Sequence, residues 1–320
     1  MDLSVMICTW NNCQLLGSAL TALAKCDIPE GLEWEVVVVN NNSTDSTEEV
    51  VHSFTRLLPI AYVYERRQGL SWARNAGLAR ASGRLAVFTD DDVKPCEGWI
   101  ASYWSAFQEK PSGFYFGGPI ISEFEGTAPD EALLRFAPFS VKGLHWGDAP
   151  KILGNGECFI GVNWACPLEA VRALGGFNVH MGLNPSSGKV RVGEETYLMK
   201  QLSLRGFSPW YVPGAWVRHN VPARKCTLKH IAERAEAGAA YLALADPPRL
   251  DSTPTLGGVP RWMYRRAVEL WLRWLKTRLS GQKAYEEYVE FRSMLGTMRG
   301  IRELWSAGRL PPRGRRHGMQ

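Results

Sequence analysis

Short apolar runs alternate with helical patterns over residues 1–90. Continuous β-branched runs such as Val36–Val39 are typical of parallel strands that are covered on both faces. The alternation predicts βαβ units, and the expected fold class is α/β with a mostly parallel central sheet flanked by helices. The apolar runs predict strands at residues 3–8, 34–39, 60–64 and 85–89, and the helical spacing predicts helices at residues 14–25 and 69–81.

Three of these strands end in polar side chains. Thr9 follows the first strand, Asn40 the second and Asp90 the fourth. Ligands of open parallel sheets bind beyond the carboxyl ends of the strands, so we expect these side chains to lie along one rim. Ser43 or Thr44 is the expected N-cap of the helix after the second strand.

The pattern after residue 112 is less regular. Residues 115–121 and 158–164 predict strands, and residues 194–204 predict a helix. From residue 227 onward the chain is mostly helical, with an interruption at residues 246–260. We therefore expect a helical C-terminal extension.

Composition narrows the class of protein. The chain has 320 residues, of which 45% are hydrophobic and 22% charged, and this excludes a largely disordered or collagen-like chain. No stretch is apolar enough to span a membrane, and the first residues do not resemble a signal peptide. The seven cysteines include no CxxC pair, so reduced thiols in a cytoplasmic protein are expected.

Positive charge is concentrated at the C-terminal end. Residues 261–320 contain 14 Lys and Arg against 5 Asp and Glu, although the whole chain carries only +5. Residues 259–279, which overlap this segment, predict a basic amphipathic helix that either lies on an anionic membrane surface or packs on the catalytic domain or on a second subunit. Its apolar stripe consists of Tyr264, Val268, Trp271, Leu272, Leu275 and Leu279.

The sharpest chemical signal is the run Asp90-Asp91-Asp92. Three adjacent carboxylates repel one another, and a divalent cation with oxygen ligands would remove that cost. In an extended segment Asp90 and Asp92 share one side and Asp91 faces the other. The alternative is a solvated acidic turn or helix cap.

Three further motifs carry chemistry, and each also has a structural explanation. The helix that opens at Gly69 carries Arg74, which can hold a diphosphate or simply lie on a surface. Glu194 and Glu195 open a helix, where acids complement the helix dipole or supply a general base. His219 is a candidate ligand, although a lone histidine is more often structural.

Together these motifs resemble the inverting nucleotide-sugar glycosyltransferases of family 2, which have the GT-A fold. The resemblance covers about residues 3–240. The motifs are TWNN at residues 9–12, VVVNNNSTDST at 37–47, GLSWARNAG at 69–77, FTDDDV at 88–93, GGF at 175–177, GEET at 193–196 and HNVP at 219–222.

The resemblance implies a role for each matched position. Asn40 stands where the family usually has an Asp that contacts the base, and its carbonyl can still accept from a uracil N3–H. The implied catalytic base is Glu195, with Glu194 as its rival, and the implied ligands of Mn²⁺ or Mg²⁺ are Asp92 and His219. The implied nucleotide-binding residues are Thr9, Trp10, Asn11, Asn40, Asn42, Gly69, Arg74, Asp90 and Asp91. The implied sugar and acceptor pocket contains Asn163, Trp164, Gly175 and Gly176. Trp164 either stacks on a sugar face or, as is more common for a single tryptophan, belongs to the core.

The resemblance also implies an activity and a domain organisation. It implies metal-dependent transfer of a sugar, with inversion, from a nucleoside-diphosphate sugar, preferably a UDP-sugar, to a hydroxyl acceptor that includes lipid-linked ones. A nucleotidyltransferase and a non-catalytic binding protein are the alternatives, and no nucleic-acid module is visible. The expected regions are a GT-A domain at residues 1–225 with halves at about 1–112 and 113–225, a helical region at 226–305, and a disordered basic tail at 306–320.

Overall fold

The computed structural model describes residues 1–154, 156–183, 192–247 and 253–309. From residue 310 onward, the predicted basic tail lies outside the described residues. The chain divides into two compact units, the first formed by Met1–Gly126 and Phe139–Pro222 and the second by Thr127–Pro138 and Ala223–Gln320. The second unit thus also contains a short segment that the sequence analysis assigned to the first 225 residues, and the expected domain organisation stays a prediction.

An eight-stranded sheet forms the centre of the first unit, in the order β3-β2-β1-β4-β9-β6-β10-β8, and a smaller sheet has the order β5-β11-β7. β1 to β4 are parallel, whereas β9 runs antiparallel to both β4 and β6. The strands are β1 (Leu3–Thr9), β2 (Trp34–Asn40), β3 (Ile60–Tyr64), β4 (Leu85–Asp90), β5 (Val93–Pro95), β6 (Phe114–Gly117), β7 (Ile120–Phe124), β8 (Lys151–Ile152), β9 (Asn163–Pro167), β10 (Ser208–Tyr211) and β11 (Val217–Val221).

Helices cover both faces of the large sheet, as expected for βαβ units. All four valines of Val36–Val39 are fully buried, which confirms the inference from their continuous run. The helices up to residue 204 are α1 (Cys13–Leu23), α2 (Thr47–Ser53), α3 (Leu70–Arg80), α4 (Trp99–Glu109), α5 (Glu131–Leu134), α6 (Phe139–Lys142), α7 (Leu168–Ala173) and α8 (Glu194–Leu204), of which α5 belongs to the second unit.

Three local predictions were wrong. The strand expected at residues 115–121 is two strands, because Gly118 lies so close to the Ala215 carbonyl that a Cβ would be 1.9 Å from its oxygen. The strand expected at residues 158–164 begins only at Asn163, where pairing with β4 starts. The residue that caps α2 is Ser46, not Ser43 or Thr44.

The expected rim at the strand ends is confirmed. Thr9 at the end of β1 lies beside Asn40 at the end of β2, and Cys8 lies beside Asp90 at the end of β4. The loops that follow these three strands therefore leave the sheet at the same edge.

The second unit contains α9 (Leu228–Ala245), α10 (Arg261–Leu279) and α11 (Tyr285–Ser306), with a short hairpin of β12 (Thr255–Leu256) and β13 (Val259–Pro260). Glycines let α11 lie against α9, since a Cβ at Gly296 would be 2.0 Å from the Glu236 carbonyl oxygen. The Glu236 carboxylate accepts from Arg292 and Arg299 at 2.6 Å each. Within the described part of the chain, each helix is too short or too polar to cross a bilayer.

Asn163 joins several elements of the first unit. Its Oδ1 accepts from Trp99 Nε1 at 2.9 Å and from the Tyr103 hydroxyl at 2.7 Å, both on α4. Its Nδ2 donates to the carbonyls of Pro119 at 3.0 Å and Ala215 at 2.7 Å. One buried amide thus satisfies four polar groups that have no access to water.

We expect Asn163→Leu to destabilise the first unit by roughly 3 kcal/mol or more, because it leaves these four buried groups without a partner. Chemical denaturation followed by tryptophan fluorescence measures the loss. The matched control is Asn178→Leu, since Asn178 is partly exposed and, among the described residues, its side chain accepts a local bond from the His180 amide. Equal stabilities of the two variants would contradict the role of Asn163.

Candidate functional site

The loops after β1 and β2 are tied to each other at the rim. Asn11 Oδ1 accepts from the Thr44 amide at 2.7 Å, and the Asn11 amide donates to Ser43 Oγ at 2.9 Å. Asn11 has a φ of 49°, a left-handed conformation that Asn tolerates better than most residues. The neighbouring Trp10 is 42% exposed, so its ring is accessible at the same edge.

Asn40 is a buried side chain that fixes the loop after β2 through hydrogen bonds. It is buried, its Nδ2 donates to the Tyr62 hydroxyl at 3.0 Å, and its Oδ1 accepts from the Ser43 amide at 2.9 Å. Asn42 accepts from the Tyr64 hydroxyl at 2.6 Å. A base that bonds the Asn40 carbonyl therefore has to share that oxygen with the Ser43 amide.

Asn41, the middle residue of the Asn run, was not among the predicted site residues. Its Nδ2 donates to the carbonyls of Glu65 and Arg67, at 3.1 and 2.7 Å, and its Oδ1 accepts from the Gly69 amide at 2.9 Å. Asn41 thereby fixes the turn that starts α3. Three adjacent asparagines gave no signal for which one held this turn.

Each member of the acidic run faces a different partner. Asp90 Oδ1 lies 3.5 Å from Arg74 Nη2, and Asp91 Oδ1 accepts from Asn12 Nδ2 at 2.9 Å. Asp92 Oδ1 lies 3.4 Å from His219 Nε2. The expected alternation of an extended segment ends here, because only Asp90 belongs to the strand.

The acidic cluster is buried and carries more negative than positive charge. Burial raises the pKa of Asp91 to about 7, and the neighbouring Asp92 carboxylate adds to the effect. Burial also raises the pKa of Asp90, although the Arg74 guanidinium opposes the shift. Both directions indicate that the cluster would gain from a bound cation.

His219 and Asp92 are the pair that could hold such a cation. Antiparallel pairing of β11 with β5 places His219 opposite Val93, and the His219 ring is buried beside Asp92. Its Nδ1 has no hydrogen-bond partner among the described residues. The described residues contain no cluster of three or more metal-binding side chains. An imidazole and a carboxylate fit a divalent cation whose remaining ligands come from water or phosphate oxygens.

Arg74 joins the two acidic segments of the site. Its Nη1 bonds Glu194 Oε1 at 2.8 Å, while its Nη2 faces Asp90. Burial disfavours the charged guanidinium, but the carboxylates of Glu194 and Asp90 outweigh that effect and raise the pKa of Arg74. A Cβ at Gly161 would lie 2.7 Å from Nη2, so the backbone closes over the guanidinium. Arg74 is thus enclosed between carboxylates, and the diphosphate contact expected for it stays a prediction.

The two glutamates at the start of α8 have different surroundings. Glu194 is buried against Arg74, and burial together with the Glu195 carboxylate raises its pKa to about 8, with Arg74 opposing. Glu195 Oε1 accepts a long bond of 3.4 Å from the Gly161 amide. Its Oε2 is shielded from solvent and has no hydrogen-bond partner among the described residues.

Two residues of the expected sugar and acceptor pocket, Asn163 and Trp164, lie inside the fold. Trp164 is fully buried and stacks on Phe88 with ring centroids 4.4 Å apart, and Asn163 is the buried amide that joins α4 to the sheet. Neither side chain reaches a surface, since Asn163 is 1% and Trp164 0% exposed.

The two glycines assigned to that pocket, Gly175 and Gly176, form a turn against α3. Both have a positive φ, and Asn75 accepts from the Phe177 amide at 2.8 Å and donates to its carbonyl at 2.8 Å. A Cβ at Gly176 would be 2.5 Å from Asn75 Oδ1. The turn therefore needs a glycine at this position to lie close to the helix that carries Arg74.

Comparison with known proteins identifies a family for the first half of the chain. Residues 4–162 match the model described as "Glycosyl transferase family 2". Succinoglycan biosynthesis protein ExoM of Rhizobium meliloti is 25% identical over 239 residues, which is 73% of this chain and 72% of that protein. Poly(ribitol-phosphate) beta-N-acetylglucosaminyltransferase TarS of Staphylococcus aureus is 31% identical over 145 residues, which is 42% of this chain but only 25% of TarS.

Solved structures share the fold. Mannosyltransferase PcManGT from Pyrobaculum calidifontis, in complex with GDP-Man and Mn²⁺, has a TM-score of 0.59 at 19% identity and covers 95% of this chain and 87% of its own. S. aureus TarS 1–349 in complex with UDP has a TM-score of 0.54 at 16% identity, and the match covers 96% of this chain and 92% of the TarS chain. The mixed α/β fold with a central sheet and C-terminal helices is therefore the GT-A fold expected from the sequence.

We expect Arg74→Met to destabilise the first unit by about 3–5 kcal/mol at pH 8, because it leaves the buried Glu194 and Asp90 without their cation. Without Arg74 the pKa of Glu194 rises further above its unfolded value. A carboxyl group whose pKa is higher in the folded than in the unfolded protein lowers the free energy of unfolding most at pH values above the folded pKa. The stability lost in Arg74→Met should therefore become smaller as the pH falls from 8 to 6. Urea denaturation at both pH values measures it.

The matched control is Arg80→Met on the same helix. Arg80 is half exposed, and its partner Glu35 also accepts from Ser4 and Ser82, so the cost should stay under about 1 kcal/mol. If both variants lost the same stability, or if the Arg74→Met loss grew at pH 6, our account of the Arg74 network would be wrong.

Proposed function

Because this chain belongs to glycosyl transferase family 2 through its residues 4–162 and is a glycosyltransferase, we propose that it moves a sugar from a UDP-sugar to a hydroxyl acceptor in one inverting, metal-assisted step. The proposal names Glu195 as the general base. The family assignment removes the nucleotidyltransferase and the non-catalytic binding protein as alternatives.

One observation carries the choice of base. Glu195 Oε2 has no hydrogen-bond partner among the described residues, whereas Glu194 is buried in an ion pair with Arg74 at 2.8 Å. A general base needs an oxygen that can take up a proton within hydrogen-bond reach of the acceptor. Glu195 supplies that oxygen. Glu194 acts as a positioning residue, because it ties the start of α8 to Arg74 and, through Arg74, to Asp90.

The reaction then needs one proton transfer and one displacement. Glu195 accepts the proton of the acceptor hydroxyl as its oxygen forms a bond to the anomeric carbon. The bond from that carbon to the diphosphate oxygen breaks on the opposite side, and the nucleoside diphosphate leaves with the bonding electrons. Attack from the face opposite the leaving group inverts the anomeric centre.

The nucleotide is proposed to bind at the rim formed by the loops after β1, β2 and β4. The bonds between Asn11 and the second loop hold two of these loops together before a ligand arrives. Preformed loops lower the ordering cost of binding. The preference for UDP is supported by the TarS complexes with UDP and UDP-GlcNAc, and the GDP-Man complex of PcManGT makes GDP-sugars the alternative to test.

Asp92 and His219 are the residues proposed to hold Mn²⁺ or Mg²⁺. Support comes from their separation of 3.4 Å, the buried His219 ring and the excess of carboxylates around them. A divalent cation at this point would neutralise the charge that grows on the departing diphosphate.

We expect Glu195→Gln to lower the rate of UDP release from the preferred UDP-sugar by about 10²–10⁴-fold, since the amide cannot accept the proton. UDP affinity, measured by isothermal titration calorimetry, should change by less than about twofold, because the variant keeps the shape of the site. Glu194→Gln is the control, and it should retain clearly more turnover. A Glu195→Gln enzyme with full turnover, paired with an inactive Glu194→Gln enzyme, would exchange the two roles.

We expect Asp92→Asn to weaken UDP binding in the presence of Mn²⁺ by roughly tenfold or more, because a neutral amide is a poorer ligand than a carboxylate. Binding without metal should stay the same in calorimetry. Asp148→Asn is the matched control, since Asp148 also lies beside a histidine, His145 at 3.3 Å, but is exposed. A wild-type metal dependence in Asp92→Asn would remove Asp92 from the metal site.

A further inference from the structure

Most of the apolar stripe of α10 is exposed. The sequence places Val268, Leu272 and Leu279 on one stripe, and in the structure these side chains are 56%, 51% and 78% exposed. Trp262 and Trp271 on the same helix are 51% and 41% exposed. Large apolar side chains this exposed, at one-turn spacing along one helix, mark an interaction surface.

A different face of α10 packs inside the second unit. Its buried residues are Met263, Ala267 and Leu270, and the first two join Val259 and Ile301 in the core of that unit. At 100° per residue these three positions lie roughly opposite Val268 and Leu272. The helix therefore has two apolar faces, and the interior of the unit covers only one of them.

Positive charge surrounds the exposed face. Arg261–Leu279 contains six Lys and Arg and a single acid, Glu269. Arg265 and Arg266 lie 3.8 and 3.5 Å from that glutamate, so two cations share one negative charge. Lys276 lies one turn from both Leu272 and Leu279, which puts a cation at the edge of the stripe.

We propose that the outward face of α10, defined by Val268, Trp271, Leu272, Leu275 and Leu279, docks on the surface of an anionic lipid bilayer. Apolar side chains flanked by Arg and Lys, with tryptophan nearby, are the combination that lies in the headgroup region of a membrane. The apolar residues enter the boundary of the acyl chains, and the cations bind lipid phosphates. The described helices are too short or too polar to cross a bilayer, so this contact lies along its surface.

A second copy of the chain is the competing occupant, and charge argues against it. Two α10 helices packed stripe on stripe would bring together the cations that flank the stripe in each copy, Arg265, Lys276 and Arg278, and Glu269 is the single acid of each helix. Like charges close to a nonpolar contact are costly. An anionic surface meets the same cations with opposite charge, so the membrane is the better complement.

Vesicle co-sedimentation of the full chain tests the proposal without nucleotide or acceptor, so its result does not depend on the transfer reaction. The vesicles contain equal parts of phosphatidylglycerol and phosphatidylcholine, or phosphatidylcholine alone. We expect binding to the anionic vesicles that falls roughly tenfold or more on neutral ones, and that weakens at molar salt.

The double variant Leu272→Glu/Leu279→Glu should lose roughly tenfold or more of the binding to anionic vesicles, because both charges would enter the apolar boundary. Leu57→Glu/Leu204→Glu is the matched control, since Leu57 and Leu204 are 69% and 72% exposed on the first unit. The control has the same change of charge and hydrophobicity and should bind like the wild type. Circular dichroism and thermal melting establish that both variants are folded.

Three results would overturn the proposal. The first is no sedimentation of the wild type with either vesicle. The second is equal loss of binding in both double variants, which would indicate a nonspecific effect of charge. The third is a dimer in light scattering that Leu272→Glu/Leu279→Glu abolishes, with no binding to vesicles, and this would assign the stripe to a second copy of the chain.

Discussion

A buried guanidinium holds the site together. Arg74 on α3 bonds Glu194 at the start of α8 and faces Asp90 at the end of β4, so one side chain joins three elements that are far apart in sequence. Its charge is tolerated in the interior because two carboxylates compensate it, and their charge is tolerated because of Arg74. The orientation of Glu195 depends on this arrangement, since Glu195 follows Glu194 directly on the first turn of α8.

The same network explains why the two glutamates are not equivalent. Arg74 forms an ion pair with Glu194 at 2.8 Å, whereas Glu195 accepts a long bond of 3.4 Å from the Gly161 amide at one of its oxygens. In our proposal the acceptor hydroxyl meets Glu195 Oε2, which has no hydrogen-bond partner among the described residues, whereas Arg74 occupies the Glu194 carboxylate. The pattern of two adjacent acids could not separate these roles, because the difference arises from partners that lie more than 30 residues away in the sequence.

Local periodicity predicted the parallel strands and their common rim, because each of those strands is a continuous apolar run followed by polar residues. It did not predict Asn163 as a buried residue, and it left two alternatives for Trp164, a sugar contact and the core. Their strand is inserted antiparallel between β4 and β6, and that pairing depends on distant segments. For the same reason the middle asparagine of the run, Asn41, was missed, since its role depends on the backbone of residues 65–69. The order of the motifs therefore predicted the rim at the strand ends better than it predicted the contacts of each residue.

In α10, too, periodicity predicted the element but not its surroundings. The sequence shows an apolar stripe on α10 but not what covers it, and the most hydrophobic stripe is the natural candidate for the interior. Here Met263, Ala267 and Leu270 pack inside, while Val268, Leu272 and Leu279 are exposed. A helix that exposes leucine and tryptophan beside six cations would be unfavourable if water were its only neighbour. The cost is removed if a surface that is both apolar and anionic covers that face, and a bilayer supplies both properties at once.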